Sequence, residues 1–282
     1  MNWCSKNEVR RCRPLLGTFV EICASGPSDM DLLAAVNAAF GHIESIQRRM
    51  SVHDEGSELS RVNAEALLRP VKVSDETFEV LRCGLEIARA SGGAFDFTVA
   101  PVLASWGFLP ANLRRRAAGT WRDISLQRGN RVHFNRPLAI DLGGIAKGFA
   151  VDTAIAALRA HNVSSACVNA GGDLRVFGAS ESLIHLRHPV SARPIAQSIC
   201  LRNAALATSS PCFTRQQWRG RRVSHLVNGE SRGAFVEDVS VSVRAPECWL
   251  ADALTKVVLN ADTPTATCLL ERHRAKAIVL TV

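Results

Sequence analysis

The segment Ile140-Asp141-Leu142-Gly143-Gly144-Ile145-Ala146-Lys147-Gly148 constrains the fold of this chain more than any other. Residues Arg131–Leu142 before the glycines suit a strand, and Ile145–Ala160 after them suit a helix, so the two glycines must turn the chain. Glycine lets backbone approach a ligand closely, and a helix N-terminus offers free N–H groups to an anion. The spacing matches neither a Walker loop nor G-x-G-x-x-G. A tight strand-to-helix turn with no ligand satisfies the same pattern, so the segment alone leaves both readings open.

The same alternation of strand and helix runs along the whole chain. Thr18–Ala24 reads as a strand, followed by a helix capped at Asp29 with Leu32, Leu33, Val36, Phe40, Ile43 and Ile46 at helical spacing. A second helix is expected over Asp75–Ala90, stopped by Ser91-Gly92-Gly93. Short strands are expected at Ser165–Val168, Leu174–Phe177, Leu183–Leu186, Ala196–Leu201 and Val239–Val243. Helices at Trp249–Asn260 and Thr265–Arg274 and a strand at Lys276–Thr281 close the chain. This order defines an α+β class, a mixed or antiparallel sheet covered by helices. No Pro-, Gly- or Ser-rich linker interrupts it, so residues 1–282 are expected to form one domain, with room for two lobes.

Composition narrows the function. Hydrophobic residues at 47% and charged residues at 21% exclude a disordered chain or a fibre. No apolar run approaches the roughly 20 residues of a membrane span. The stretch MNWCSKNEVRRCRPLLG lacks the apolar core of a signal peptide, and no C-x-x-C pair occurs among the nine cysteines. The expectation is therefore a cytoplasmic chain with reduced thiols, or a periplasmic one if a leader has been removed. A net charge of +8 favours an anionic partner. The clusters Arg114–Arg116 and Arg219–Arg222 lack the aromatic interleaving of a base-stacking surface, so no nucleic-acid partner is expected. With no tyrosine in the chain, no tyrosine can serve as catalytic acid.

Three further features carry chemistry. In Ala251-Asp252-Ala253-Leu254-Thr255-Lys256, Asp252, Thr255 and Lys256 share one helix face. They suit either a partial oxygen shell for Mg²⁺ or an Asp–Lys ion pair. In Ser224-His225-Leu226-Val227, the histidine is either a general base or a satisfied structural residue. Gly93-Ala94-Phe95-Asp96-Phe97-Thr98-Val99-Ala100-Pro101, followed by Ser105-Trp106-Gly107-Phe108, mixes polar and aromatic groups as a pocket lining would.

Taken in order, these segments resemble the ApbE-type FAD:protein FMN transferases. The resemblance also takes in Leu16-Gly17-Thr18-Phe19, Met50-Ser51, Ser57-Glu58-Leu59-Ser60-Arg61-Val62-Asn63, Asn169-Ala170-Gly171-Gly172-Asp173, Ala207-Thr208-Ser209 and Ala245-Pro246. It implies a T-fold-like α+β domain that binds FAD and Mg²⁺. It also implies cleavage of the FAD pyrophosphate, transfer of FMN to a threonine of a target flavoprotein, and release of AMP. Flavin and nucleotide contacts would fall on Leu16, His53, Ala94, Phe95, Asp96, Gly143, Phe149 and Val227. Metal contacts would fall on the Ala146 carbonyl and the side chains of Asp252 and Thr255. His225, with Asp96 as the alternative, would be the base for the incoming hydroxyl. An FAD pyrophosphatase giving FMN and AMP, and a non-catalytic flavin-binding protein, are the other readings.

The sequence also departs from the family pattern. Lys256 stands where the family helix most often carries threonine, and either points away or supplies part of the cation's role. His53 replaces a larger aromatic, and Asn228-Gly229-Glu230-Ser231-Arg232-Gly233 replaces the usual Asp-Pro segment.

Overall fold

The computed structural model describes residues 7–27, 31–179, 181–190 and 195–281. In chain order the strands are β1 (Glu8–Leu15), β2 (Thr18–Ser25), β3 (Val71–Lys72), β4 (Ile124–Gln127), β5 (Arg131–Phe134), β6 (Ser165–Ala170) and β7 (Asp173–Phe177), then β8 (Ser182–Arg187), β9 (Ile195–Leu201), β10 (Ala204–Ser209), β11 (Gln216–Trp218), β12 (Arg221–Val223), β13 (Val239–Ala245) and β14 (Lys276–Thr281). The helices are α1 (Leu32–Met50), α2 (Glu58–Glu65), α3 (Asp75–Ala90), α4 (Ala100–Ser105), α5 (Ala146–Ala160), α6 (Cys248–Asn260) and α7 (Thr263–Arg272).

Seven strands form one sheet in the order β1-β2-β6-β7-β10-β13-β14, and every neighbouring pair is antiparallel. The two-residue period of a strand sends alternate side chains to opposite faces. Val20, Ile22, Ala24, Val168, Ala205, Ala207, Val241 and Val243 join the core built with α1, α5 and α6. Cys23, Cys167, Leu174, Val176 and Leu206 turn the other way and pack against Ile184, Leu186 and Leu201 of the β8–β9 ribbon. Both faces are thus covered, which is why even Ser240 and Ser242 of β13 are buried, with Ser242 Oγ 2.8 Å from Thr208 Oγ1.

The α+β class holds, and so do most of the expected elements. The cap of α1 is Asp31, whose carboxylate accepts the Ala34 N–H at 2.9 Å; the expected cap, Asp29, lies outside the described residues. Leu33, placed on the apolar face by its spacing, is exposed. The expected strand Arg131–Leu142 ends at Phe134. Asn135 donates its N–H to Asp123, and Pro137 has none to give a ladder. Beyond it the Asn63 side chain takes the place of a partner strand, donating to and accepting from the Ile140 backbone at 2.9 and 2.8 Å. Two strands of the main sheet went unread. In β1, arginines break the alternation, and in β10, Ala-rich sequence carries little strand preference.

Candidate active site

A cavity of about 870 Å³ opens where the β6–β7 turn, the end of β10, the Gly93–Asp96 loop and the start of α5 converge. That volume is in the range of small-molecule and cofactor sites, roughly 300–1,000 Å³. Ala94, Phe95, Asp96, Gly143, His225 and Val227 all line it, and so do Lys147, Asn169, Asp173, Thr208, Ser209 and Lys256. Leu103, Phe108, Leu183 and Leu206 supply apolar wall. Asn260 donates to the carbonyls of Ala94 (3.3 Å) and Val227 (3.4 Å), joining two segments of this wall.

The remaining expected residues do not line the cavity. Leu16 sits at the β1–β2 turn with a left-handed φ of 56°, its N–H donated to the Gln47 side chain. His53 is exposed after α1, with its N–H 3.2 Å from Ser51 Oγ. Phe149 and Ala146 are partly buried on α5, against the core. Asp252 and Thr255 are fully buried in α6.

The turn into α5 works differently from the expectation. Neither Gly143 nor Gly144 has a positive φ, so the turn itself makes no left-handed demand. Gly144 lies between the Phe95 ring and the Lys256 stem, where a Cβ would make ordinary contacts at 3.4 and 3.5 Å. Part of the helix N-terminus is engaged within the protein. The Ala146 N–H donates to the Leu142 carbonyl at 2.8 Å and the Gly148 N–H to Asp252 Oδ2 at 3.3 Å. Gly148 has its own requirement, because a Cβ would meet the Cys248 carbonyl oxygen at 2.4 Å. Asp152 locks the same crossing, accepting Arg175 at 2.6 Å and the first two N–H groups of α6 at 3.0 and 2.9 Å.

Positive charge in the site comes from side chains. Lys147 Nζ lies 2.6 Å from Asp173 Oδ2 and 3.6 Å from Asp252 Oδ2. Lys256 Nζ bonds Asp252 Oδ1 and lies 3.0 Å from the Asp252 backbone carbonyl. Burial alone would raise the Asp252 carboxyl, but the Lys147 and Lys256 charges hold it below the usual carboxylate range. Burial, with Asp252 nearby, pushes Asp173 up despite Lys147. His225 faces the cavity with Nδ1 hydrogen-bonded to the Thr214 hydroxyl. Its packed surroundings, then the Lys256 and Lys147 charges, lower its pKa to about 4, so the imidazole is neutral at pH 7. Asp96 is differently committed. One oxygen accepts the Thr98 N–H and hydroxyl at 2.8 and 2.7 Å, and the other accepts Arg232 at 2.8 Å. Burial nonetheless raises its pKa.

The donor set implied for Mg²⁺ is already engaged. Asp252 Oδ1 holds Lys256, Oδ2 holds the Gly148 N–H, and Thr255 Oγ1 donates to the Asp252 carbonyl at 2.7 Å, also 2.7 Å from Ser209 Oγ. Mg²⁺ needs oxygen at about 2.0–2.1 Å with little tolerance of other geometry. Two ammonium groups flank the one carboxylate it would use, so these residues do not fit a divalent cation as they stand. No cluster of three or more His, Cys, Asp or Glu suited to a metal occurs among the described residues.

Sequence reasoning passed over Lys147, Asp173 and Arg232 as site residues. Lys147 and Asp173 lay inside noted motifs, but their pairing depends on the β6–β7 turn meeting α5. Arg232 reaches Asp96 across 136 positions of sequence, with no local signal.

The fold and the cavity together define a class: an antiparallel α+β protein with a partly apolar site, carrying lysines paired with carboxylates, of a size suited to a nucleotide cofactor. The ApbE family model matches residues 16–280, and the chain belongs to that family. A FAD:protein FMN transferase of Vibrio cholerae is 30% identical over 230 residues, covering 75% of this chain and 69% of its own. One of Treponema pallidum is 28% identical over 280 residues, covering 88% and 77%. The crystal structure of the ApbE protein of Thermotoga maritima is similar with a TM-score of 0.85 at 25% identity, covering 97% of this chain and 94% of that one. The flavin transferase ApbE of Vibrio cholerae gives 0.82 at 25% identity, covering 97% and 93%.

Proposed function

We infer that this protein is an enzyme, an FAD:protein FMN transferase. It binds FAD in the cavity, cleaves the pyrophosphate, and attaches the FMN phosphate to a threonine hydroxyl of a target flavoprotein, releasing AMP. The observation that carries this reading is the convergence of Lys147, Lys256 and a neutral His225 on one cavity large enough for a dinucleotide. Family membership and the names of the curated relatives support it.

Chemically, the acceptor oxygen bonds to the FMN phosphorus as the bond to the AMP oxygen breaks. His225 takes the hydroxyl proton on Nε2, a role that requires the tautomer in which Nδ1–H donates to Thr214. Lys147 and Lys256 stabilise negative charge growing on the phosphate oxygens and on departing AMP. Apolar wall around Phe95, Phe108 and Leu183 packs the flavin and adenine rings. Asp96, with both oxygens committed to Thr98 and Arg232, positions the loop that carries Ala94 and Phe95, and His225 is the base.

AMP release from FAD, measured with and without an acceptor domain carrying the threonine, tests this. Release that depends on the acceptor, with flavin retained on it through acid precipitation, is the expected result. Release without acceptor would make the protein an FAD pyrophosphatase. FAD binding with no AMP in either mixture would make it a flavin-binding protein.

A further inference from the structure

We propose that Lys256 is a built-in cation that takes the place of a divalent metal at Asp252, so that this enzyme binds FAD without Mg²⁺. The inference rests on the FAD-binding reading above. Its basis is placement. Asp252, the one carboxylate of the implied metal set, has no exposed surface, whereas Lys256 lines the cavity. The ammonium therefore stands between the carboxylate and the ligand space.

Two contacts hold it there. Nζ bonds Asp252 Oδ1 and, at 3.0 Å, the Asp252 backbone carbonyl, one helical turn earlier. The lysine stem runs past Gly144, with Cε 3.5 Å from where a Cβ on that residue would stand. Thr255, the neighbouring oxygen of the helix, donates to the Asp252 carbonyl instead of turning to the cavity. On the other side Lys147 is tied to Asp173 at 2.6 Å and approaches Asp252 at 3.6 Å. Two ammoniums and two carboxylates thus balance, and an arriving dication would face two like charges at contact range. An ammonium offers phosphate oxygens fixed positive charge and hydrogen bonds without coordination geometry.

Mn²⁺ binding followed by its spin-resonance signal, and FAD affinity followed by flavin fluorescence, test this on the wild type, K256T and K256M. Wild type should leave Mn²⁺ free, and its FAD affinity should change by less than about twofold between EDTA and Mg²⁺. K256T should bind Mn²⁺ and lose roughly tenfold in FAD affinity in EDTA, recovering with Mg²⁺. K256M, which keeps the stem and drops the charge, should lose FAD affinity in both buffers, with an unchanged circular-dichroism spectrum showing that it folds. Stoichiometric Mn²⁺ binding by wild type, or a tenfold loss of its FAD affinity in EDTA, would overturn the proposal. The Mn²⁺ measurement needs no flavin. If wild type ignored both Mn²⁺ and FAD, the FAD reading would fail while Lys256 would still be filling the metal position.

Discussion

His225 and Asp96 show how two titratable residues on one cavity are given different work by their neighbours. His225 has a single side-chain hydrogen bond, to Thr214, and a pKa lowered to about 4 by the protein around the ring and by two lysines. A base works only when deprotonated, so transfer should be lost as pH falls through the His225 pKa. We expect the acid limb of kcat/KM near pH 4–5, well below the 6.5 of free histidine. H225A should lose this limb and about 10²–10⁴-fold in rate. A limb at 6.5, or undiminished transfer by H225A, would remove the residue from the chemistry. The same shift has a stability consequence of defined sign. Between pH 6.5 and 4 the unfolded chain protonates this histidine before the folded one does, so its contribution opposes folding as pH falls. Asp96 is instead a positioning residue. Its partner Arg232 is held with a left-handed φ of 58° and side-chain exposure of 28%. R232M would leave a buried carboxylate short of its cation, at about 1–3 kcal/mol of stability in urea unfolding.

At the scale of elements, the site depends on α5 and α6 crossing closely enough for Lys147 and Lys256 to flank one aspartate. Gly148 sets that distance and Asp152 sets the orientation, by capping α6 from α5. G148A must push the helices apart or bend them, because its Cβ would lie 2.4 Å from a backbone oxygen. The expected destabilisation is at the upper end of the roughly 1–3 kcal/mol usual for overpacking. FAD affinity should fall with it, and a variant with wild-type melting temperature and affinity would show that the crossing is not rigid.

For the whole molecule, the antiparallel sheet provides a platform whose two faces are committed, one to helices and one to the β8–β9 ribbon. The cavity gathers segments far apart in sequence over the central strands β6, β7, β10 and β13 of this platform, so a ligand that bridges them should stabilise the fold. FAD at about 100 times its Kd should add about 2.7 kcal/mol and raise Tm by about 4–5 °C. Riboflavin, which lacks the pyrophosphate, should raise it less at equal concentration. Equal shifts would mean that the lysine pair does not meet the phosphates. No helix among the described residues is long and apolar enough to cross a membrane.

Local pattern determined much of this protein. The helical spacing of Val36, Phe40, Ile43 and Ile46, the stop at Ser91-Gly92 and the alternation at Val239–Val243 each follow from short-range geometry, and the elements they specify are present. Motif order along the chain likewise carried the family, because each motif is itself a contiguous segment. What the sequence left open was long-range. Asp252 with Lys256 read more readily as an ion pair than as a metal shell, but helix periodicity puts both on one face without saying what lies opposite. Tertiary packing decided it by bringing Lys147 from α5 to the same carboxylate and turning Thr255 to Ser209. At the helix N-terminus after Gly144, it is Asp252, 104 positions away, that takes the Gly148 N–H. Charge and hydrogen-bond partners act over a few ångströms of space, whatever their separation in sequence, so only the folded chain assigns them.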